Sequence, residues 1–316
     1  MHPFKHINPT TVADASAALT QYGATAHVIA GGTDLLPQMV WRCKPTQPEY
    51  IINLKSIPGL DYIKESGGVL HIGALTRLHD IAVSPIVLAN YNALAQASSV
   101  VASWQIRNMA TLGGDVCQET WCWYLRNPWN KFYCIRKGGT VCQAITGDNR
   151  YLAILGSQTC PAASPSDAAT ALLALNATMV TNKRSVAVAD FFTNLGTSLG
   201  AGEIVTEISM PTPPAGSKSR FAKASIRKAI DFALTSCAYL ITPATGNITS
   251  ARVALGAVAP IPWRATAAET ALVGKTMSAD VATAAATAAV SGNHPMTMNK
   301  YKVQMTMGIV KRALLS

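Results

Sequence analysis

The sequence predicts an α+β protein with more than one domain, and three observations lead to this prediction. The chain has 316 residues, which is more than one hydrophobic core usually serves. Helix and strand patterns alternate up to about residue 178, and strand patterns dominate after it. Alanine-rich helical patterns then close the chain. We therefore place the main domain boundary near residue 178.

The opening of the chain predicts a small βαβ-like unit. A helix is predicted in TTVADASAALTQYG, where Thr10 or Thr11 can cap the N-terminus and Gly23 ends the helix. Short strands are predicted in AHVIA and EYIINL. The next segment, VLHIGALTRLHDIAV, repeats the order of strand, turn and helix. A further helix is predicted in PIVLANYNALAQASSVVAS and a loop in IRNMATLGGDV.

The rest of the chain changes from mixed patterns to strands. After a segment rich in cysteine and tryptophan, a strand is predicted in RYLAILGS, and a capped helix followed by a strand in SPSDAATALLALNATMV. Successive strands of one antiparallel sheet are predicted in EIVTEISMP, SRFAKASIRKAIDFALTSCAYLITP and ITSARVALGAVAP. Helices are predicted around residues 265–273, 278–290 and 300–315.

Composition and charge exclude some classes of protein. The longest apolar run begins at Ala168 and is shorter than the roughly 20 residues that span a membrane. The N-terminal MHPFKHINPTT lacks the apolar core of a signal peptide, so we expect a soluble, cytoplasmic protein without a membrane span. The net charge of +10 is scattered and forms no aromatic-laced stripe, so nucleic-acid binding is not predicted. Docking of acidic partners, such as subunits or an acidic electron carrier, and a merely basic surface both remain open.

Two glycine pairs stand where strands or loops turn. They occur in AGGTD, from Ala30 to Asp34, and in LGGDV, from Leu112 to Val116. Glycine allows backbone N–H groups to converge on an anion such as a diphosphate, although Gly-Gly is also an ordinary turn. Neither pair matches GxGxxG after a long strand or GxxxxGK[ST], so the Rossmann and P-loop fingerprints are absent.

Four of the seven cysteines lie between Cys117 and Cys142. Disulfides are disfavoured because the cytosol keeps thiols reduced. A structural zinc site usually shows CxxC or Cys/His pairs, which this segment lacks. An iron–sulfur cluster needs four converging thiolates, and aromatic and basic residues surround these cysteines. The spacing alone leaves an iron–sulfur cluster, zinc and plain buried thiols open.

An ordered set of motifs resembles one known family. The motifs are IAGGTDLLP, IGALTRLHDI, QIRNMATLGGDV, PSDAATALLAL, FAKASIRKAIDFA and VALGAVAPIPWRATAAE, and the resemblance that they carry covers roughly residues 4 to 315. Together they resemble the FAD-binding medium subunit of the molybdenum hydroxylase family, which includes xanthine dehydrogenase and carbon monoxide dehydrogenase. The resemblance implies a PCMH-type, vanillyl-alcohol-oxidase-like FAD-binding fold in two subdomains, residues 1–58 and 59–177. A C-terminal α+β domain of the CO dehydrogenase flavoprotein type, residues 178–316, is implied to cover the flavin.

The resemblance also implies which residues bind FAD. The first loop is implied to wrap the diphosphate, and a second loop contributes from the other side. Asp167 is implied near the ribityl chain or the ring, Ile204 against the ring, and Lys223 close to the flavin from the C-terminal domain. This sequence has GGD where the family usually has GGN, which puts the hydrogen bond at Asp115 in question. The loop residues are Ile29, Ala30, Gly31, Gly32, Thr33, Asp34, Leu35 and Leu36 in the first loop, and Thr111, Gly113, Gly114 and Asp115 in the second.

One branch of the family carries an insertion with a [4Fe–4S] cluster. This branch includes the β subunit of 4-hydroxybenzoyl-CoA reductase and related aldehyde oxidoreductases, and its insertion corresponds to residues 117–150 here. The resemblance implies that Cys117 is a packed thiol beside the flavin loop, and Cys43 and Cys237 are expected to be isolated thiols. The implied ligands are Cys122, Cys134, Cys142 and Cys160.

The resemblance implies an electron-transfer subunit without a catalytic residue of its own. The whole complex is implied to be an oxidoreductase such as an aromatic acyl-CoA reductase or an aldehyde dehydrogenase. It is implied to assemble as a heterotrimer or as a dimer of heterotrimers. Its partners would be a small [2Fe–2S] subunit, a large molybdopterin subunit and a ferredoxin-like electron carrier. One alternative is a free-standing FAD-dependent oxidoreductase acting directly on a small substrate, which would need a catalytic base or a covalent flavin attachment site. No histidine is expected near either glycine loop, and the nearest candidate, His79, is expected to serve the helix after IGALT. Another is a non-catalytic zinc or scaffold module.

Overall fold

The first unit of the fold is a three-stranded parallel sheet with two helices. The structure, a computed structural model, describes residues 1–316. Thr11 caps the first helix by accepting a hydrogen bond from the Asp14 N–H, and Gly23 ends it at φ +53°. The strand order is β1-β3-β2, as a βαβ arrangement requires. The elements are β1 Lys5–Ile7, α1 Val12–Tyr22, β2 Ala26–Ile29, α2 Leu35–Trp41 and β3 Tyr50–Asn53.

The second unit is an antiparallel five-stranded sheet covered by helices. Its strand order is β4-β5-β10-β6-β7, so strands on both sides of residue 178 form one sheet. The predicted boundary at 178 therefore falls inside this sheet. The elements are β4 Ile63–Ser66, β5 Val69–Gly73, α3 Leu78–Val83, α4 Pro85–Asn90, α5 Asn92–Ser99, α6 Trp104–Arg107, α7 Leu112–Val116, α8 Trp123–Arg126, α9 Asp167–Ala174, β6 Thr178–Thr181, β7 Ser185–Ala187, α10 Val188–Phe191, the short pair β8 Phe192–Thr193 and β9 Gly196–Thr197, and β10 Val205–Pro211.

The third unit is an antiparallel sheet, β11-β12-β13-β14, between two helical layers. Side chains alternate across it, because successive residues of a strand point to opposite faces. On β12, Cys237 and Tyr239 face a core shared with the last three helices, whereas Ala238 faces a core shared with α5 and α9. The elements are β11 Lys218–Ala224, β12 Thr235–Thr242, β13 Ser250–Gly256, β14 Trp263–Arg264, α11 Thr266–Leu272, α12 Ala279–Ala289 and α13 Tyr301–Leu315.

Four predicted elements differ from the structure. The segment RYLAILGS is not a strand, because the Ile154 and Leu155 N–H groups both donate to the Val258 carbonyl and form no ladder. The predicted loop IRNMATLGGDV contains α7, which Thr111 caps. Strand β10 pairs with β5 and β6 of the second unit and not with the C-terminal sheet. The predicted helix at residues 85–103 is divided at Tyr91 into α4 and α5.

The cysteine-rich segment has little regular structure of its own. Between α7 and α9 it forms only α8 and two single 3₁₀ turns, Pro128–Asn130 and Ile135–Lys137. The C-terminal unit holds its end in place, because the Asn299 side chain donates to the carbonyls of Leu152 and Ala153. Among the helices, none has the length and apolar character needed to cross a bilayer.

Candidate cofactor site

One large cavity lies where the three units meet. Its volume is about 760 Å³, within the range of about 300–1,000 Å³ that is usual for ligand and cofactor sites. Side chains from β2, α7, α9, β10 and β11 line it, so every unit contributes. Of the predicted cofactor residues, all but Leu36 line this cavity; Leu36 instead packs its side chain beside Gly32.

The first glycine loop offers free backbone donors to the cavity. The N–H groups of Gly31, Gly32 and Thr33 donate to no backbone acceptor, although all three residues line the cavity. A Cβ at Gly31 would overlap the carbonyl oxygen of Met109, so only glycine fits there. Gly32 has φ +74°, which also favours glycine. Consecutive unpaired N–H groups of this kind form a concave site for an anion such as a diphosphate.

The second glycine loop is different, because its own structure uses its donors. The Gly113 N–H donates to the Ala74 carbonyl at 2.9 Å, and the Gly114 N–H donates to the Thr111 hydroxyl at 3.2 Å. A Cβ at Gly113 would lie 2.8 Å from the Ala74 carbonyl oxygen. These glycines therefore allow close packing of α7 against the strand-to-helix turn after β5, which places this loop at the cavity wall.

Asp34, at the end of the first loop, connects the cavity to the cysteine-rich segment. Its carboxylate accepts hydrogen bonds from the Arg126 guanidinium at 2.6 Å and from the Glu119 N–H at 3.1 Å. Arg126 is 4% exposed and lies over the Trp121 ring, 4.3 Å from the ring centre. No local sequence pattern marks Arg126 for this role, because its partner lies 92 residues away.

Asp115 is buried and its carboxyl is hydrogen-bonded on both oxygens. The Ser166 hydroxyl donates to one oxygen at 2.5 Å and the Gln118 amide to the other at 2.8 Å. Burial raises the pKa of Asp115 to about 7, and the Ser166 hydrogen bond opposes this shift. A carboxyl with this pKa is neutral in a large share of molecules at pH 7. Because the raised pKa favours the neutral carboxyl, Asp115 repels a nearby anion less than an ordinary aspartate would.

Asp167 and Lys223 form a buried ion pair at the cavity wall. The distance from the Lys223 ammonium to the Asp167 carboxylate is 2.7 Å, and the side chains are 9% and 6% exposed. The same ammonium donates to the carbonyls of Asp231 and Val100. Burial raises the pKa of Asp167, and the Lys223 charge opposes this shift. Asp167 does not cap α9, since Ser166 does so.

The remaining wall is apolar and aromatic, and sequence reasoning missed much of it. Ile204 is buried in the core of the first unit and also lines the cavity. Trp121 and Phe232 lie on the wall with ring centres 4.9 Å apart. His27 also lines the cavity, contrary to the expectation that no histidine lies near the glycine loops. Burial and then the Lys44 charge lower the pKa of His27, which favours the neutral imidazole.

The seven cysteines are all free thiols in different surroundings. Cys43 and Cys237 are both buried, and the Cys43 thiol donates to the Arg126 carbonyl of the cysteine-rich segment at 3.2 Å. Cys117 was expected to be a packed thiol; burial does raise the pKa of its thiol to about 12, but the residue as a whole is exposed and lines the cavity. The reason is that it follows directly after the short helix α7, at the point where the chain leaves the core.

The four predicted ligand cysteines lie close enough to affect one another. Burial raises the pKa of Cys122 to about 11, and the nearby Cys160 and Cys134 thiols add to the shift. Burial also raises the pKa of Cys142, again with Cys160 and Cys134 adding to it. Backbone N–H groups oppose both shifts, and hydrogen bonds of this kind stabilise a thiolate.

No group of three or more His, Cys, Asp or Glu side chains is placed to hold a single metal ion. A zinc ion binds thiolates at about 2.3 Å and so draws its ligands very close together. Thiolates of an iron–sulfur cube bind different iron atoms and therefore stand further apart. The four predicted ligand cysteines thus form no preformed single-ion site.

Comparison with known proteins decides the family. Residues 2–213 match the FAD binding domain in molybdopterin dehydrogenase, and residues 220–316 match the CO dehydrogenase flavoprotein C-terminal domain. The chain belongs to the FAD-binding medium subunits of the molybdenum hydroxylase family. The predicted family, fold class and FAD cofactor are thereby confirmed, and this medium subunit is an oxidoreductase subunit.

Relatives of this medium subunit match it over nearly its whole length. The aldehyde oxidoreductase FAD-binding subunit PaoB of Escherichia coli (strain K12) is 35% identical over 100% of this chain and 97% of its own. The carbon monoxide dehydrogenase medium chain of Hydrogenophaga pseudoflava is 30% identical over 98% of this chain and 96% of its own. In the solved structure of that organism's enzyme lacking the Mo-pyranopterin moiety, the similar chain has a TM-score of 0.80 and 31% identity. The match covers 99% of this chain and 96% of that one.

Proposed function

We propose that this medium subunit transfers electrons between bound FAD and a [4Fe–4S] cluster held by Cys122, Cys134, Cys142 and Cys160. The observation that carries the proposal is the ion pair between Asp34 and Arg126, which fixes the first glycine loop to the segment that bears the cysteines. Trp121 lines the large cavity, and Cys122, the next residue, lines a smaller adjoining one of about 160 Å³. Both redox groups would therefore be held by shared segments.

The chain's own residues divide the work of holding FAD. The free N–H groups of Gly31 and Gly32 would bind the diphosphate. Asp115, kept partly neutral by its surroundings, would accept or donate a hydrogen bond without strong repulsion. Ile204 and the aromatic wall would exclude water from the ring. Bound FAD supplies a centre that exchanges electrons singly or in pairs.

The cysteine-rich segment would hold the cluster in a partly dry site. Cys134 and Cys160 are buried, and Cys122 and Cys142 are half-buried. The Arg136 guanidinium donates to the Cys160 sulfur at 3.2 Å, which places a positive charge beside this proposed ligand. A cluster supplies a centre that passes one electron at a time, so beside FAD it converts between one-electron and two-electron exchange.

The partners are proposed from the family. Relatives are named as medium chains and FAD-binding subunits, which supports a complex with a small [2Fe–2S] subunit and a large molybdopterin subunit, as a heterotrimer or its dimer. The net charge of +10 suits a small acidic one-electron carrier of the ferredoxin type.

Metal and flavin analysis of anaerobically purified chain tests the proposal. We expect about four irons and about one FAD per chain, with no zinc. Cys160→Ser should lose most of the iron. Cys117→Ser, a matched control thiol from the same segment, should keep it. Flavin without iron in the wild type, or full iron content in Cys160→Ser, would overturn the proposed cluster.

The second candidate, a free-standing FAD-dependent oxidoreductase, has one observation in its favour. His27 lines the cavity and burial favours its neutral form, as a base or an attachment site would require. Acid precipitation of the protein tests whether FAD is covalently attached to His27. FAD released into the supernatant contradicts attachment to His27, whereas flavin retained by the wild type and released by His27→Ala would support it.

A further inference from the structure

Lys137 is a buried cation without a partner. Its residue is 6% exposed, and its ammonium nitrogen has no hydrogen-bond acceptor within reach. Burying a charge that is neither paired nor hydrogen-bonded costs several kcal/mol, so folded proteins rarely keep one without a compensating group. An anion is therefore expected beside this ammonium in the working protein.

The neighbours of Lys137 indicate where that anion lies. Lys137 follows Cys134 in the same 3₁₀ turn, and its N–H donates to the Cys134 carbonyl at 2.8 Å. Burial lowers the pKa of Lys137, and the charges of Cys134, Cys43 and Cys122, of which two are proposed cluster ligands, oppose this shift. The preceding residue, Arg136, donates to the sulfur of a third proposed ligand, Cys160.

The Arg136 guanidinium is held in place by hydrogen bonds to the carbonyls of Asn194 and Leu195. The buried Lys137 ammonium has no such acceptor.

We propose that Lys137 is a positioning residue that sets the reduction potential of the cluster by holding a positive charge against it. This inference rests on the proposed cluster. A cube of core charge about 2+ held by four thiolates has a net charge of about −2, and it gains one more negative charge when it accepts an electron. A fixed cation stabilises the more negative state more strongly, so Lys137 raises the potential. The electron comes from FAD or the one-electron carrier of the proposed function.

A redox titration of the anaerobic full-length protein, followed by electron paramagnetic resonance, tests this role. Lys137→Met removes the charge while keeping a similar volume, and we expect the cluster midpoint to fall. At a fixed ambient potential the ratio of reduced to oxidised cluster should drop at least tenfold, which is about 59 mV for one electron. Lys137→Arg keeps the charge and should remain near the wild type.

Lys131→Met is the matched control. Lys131 lies in the same segment, but it is exposed and its ammonium lies over the Phe132 ring. Removing this charge should leave the midpoint unchanged, because solvent screens it. Equal midpoints for Lys137→Met and Lys131→Met would overturn the proposal, and the cluster itself would still stand.

Iron content separates failure of this inference from failure of the proposed function. A wild-type protein without iron overturns the proposed cluster, and the role of Lys137 falls with it. If Lys137→Met loses iron and Lys137→Arg keeps it, the charge of Lys137 is required and the proposal is supported. If both variants lose iron while the wild type holds it, cluster binding depends on the shape of the Lys137 side chain and not on its charge, and the proposal is overturned.

Discussion

Asp115 is a buried carboxyl on the wall of the cavity that we propose for FAD. Its pKa of about 7 follows from burial, which the hydrogen bond from Ser166 only partly offsets. The same position usually carries asparagine in the family pattern GGN. A half-neutral carboxyl is therefore a close substitute for the amide at pH 7, and the departure from the pattern has a physical explanation.

The pH dependence of Asp115→Asn tests that explanation. The folded-state pKa is above the unfolded value of 3.8, so the folded protein binds the extra proton and its stability falls as pH rises from about 4 to about 7. The loss approaches about 4 kcal/mol above pH 7. The variant should match the wild type near pH 4 and exceed its thermal midpoint above pH 7. A difference that does not change with pH would contradict the raised pKa.

Gly31 is the position where a side chain is least tolerated in the flavin loops. Gly31→Ala forces a Cβ against the Met109 backbone, which costs about 1–3 kcal/mol and moves the two loops apart. We expect FAD affinity to fall about tenfold or more, measured by fluorescence titration of the apoprotein. Gly308→Ala is the control, because that helical glycine has nothing within 4 Å. Equal affinities for both variants would contradict the close approach at Gly31.

At the scale of elements, α8 and the loop after β2 act together through Arg126. Arg126→Met leaves the Asp34 carboxylate without its cation, a loss of about 3 kcal/mol for a largely buried pair. Because the loop and the cysteine-bearing segment share this contact, we expect bound flavin and bound iron to decrease together. Absorbance and iron analysis of the purified variant measure both. Arg150→Met, which breaks an exposed pair with Asp148, should change neither, and loss of iron alone would contradict the coupling.

Local sequence signals predicted the elements that depend on local interactions. The cap at Thr11, the helix after Ser166 and the three C-terminal helices follow from signals within a few residues. Other elements were mispredicted because their hydrogen-bond partners lie far away in the sequence. Strand β10 looked like its sequential neighbours, but it pairs with β5, more than 130 residues earlier. The segment RYLAILGS has strand-forming residues, yet the Val258 carbonyl takes its N–H groups.

The cofactor site also combines features that local motifs predict with features that depend on distant contacts. The glycine loops, Asp167 and Lys223 were predicted from motifs, and all of them line one cavity. The Asp34–Arg126 bridge and the unpaired Lys137 depend on contacts between remote or irregular segments, and no periodic pattern marks such contacts in the sequence.

At the scale of the whole molecule, the ion pair of Asp167 with Lys223 joins α9 of the second unit to β11 of the third. Lys223→Met leaves a buried carboxyl without its cation and should destabilise the protein by about 3–5 kcal/mol. Adding Asp167→Asn removes the unpaired charge and should restore part of the loss, measured as the coupling energy of a double-mutant cycle in unfolding. Additive effects of the two changes would show that the pair does not connect the units.

The three units close one cavity and place the cysteine-rich segment at its edge, so the central claim is that one chain holds two redox groups. A stoichiometric anaerobic titration with a strong reductant counts the electrons that the isolated chain accepts. The account predicts about three electrons per chain, about two for FAD and about one for the cluster. Uptake that stops at about two electrons, with only the flavin absorbance bleached, would contradict it.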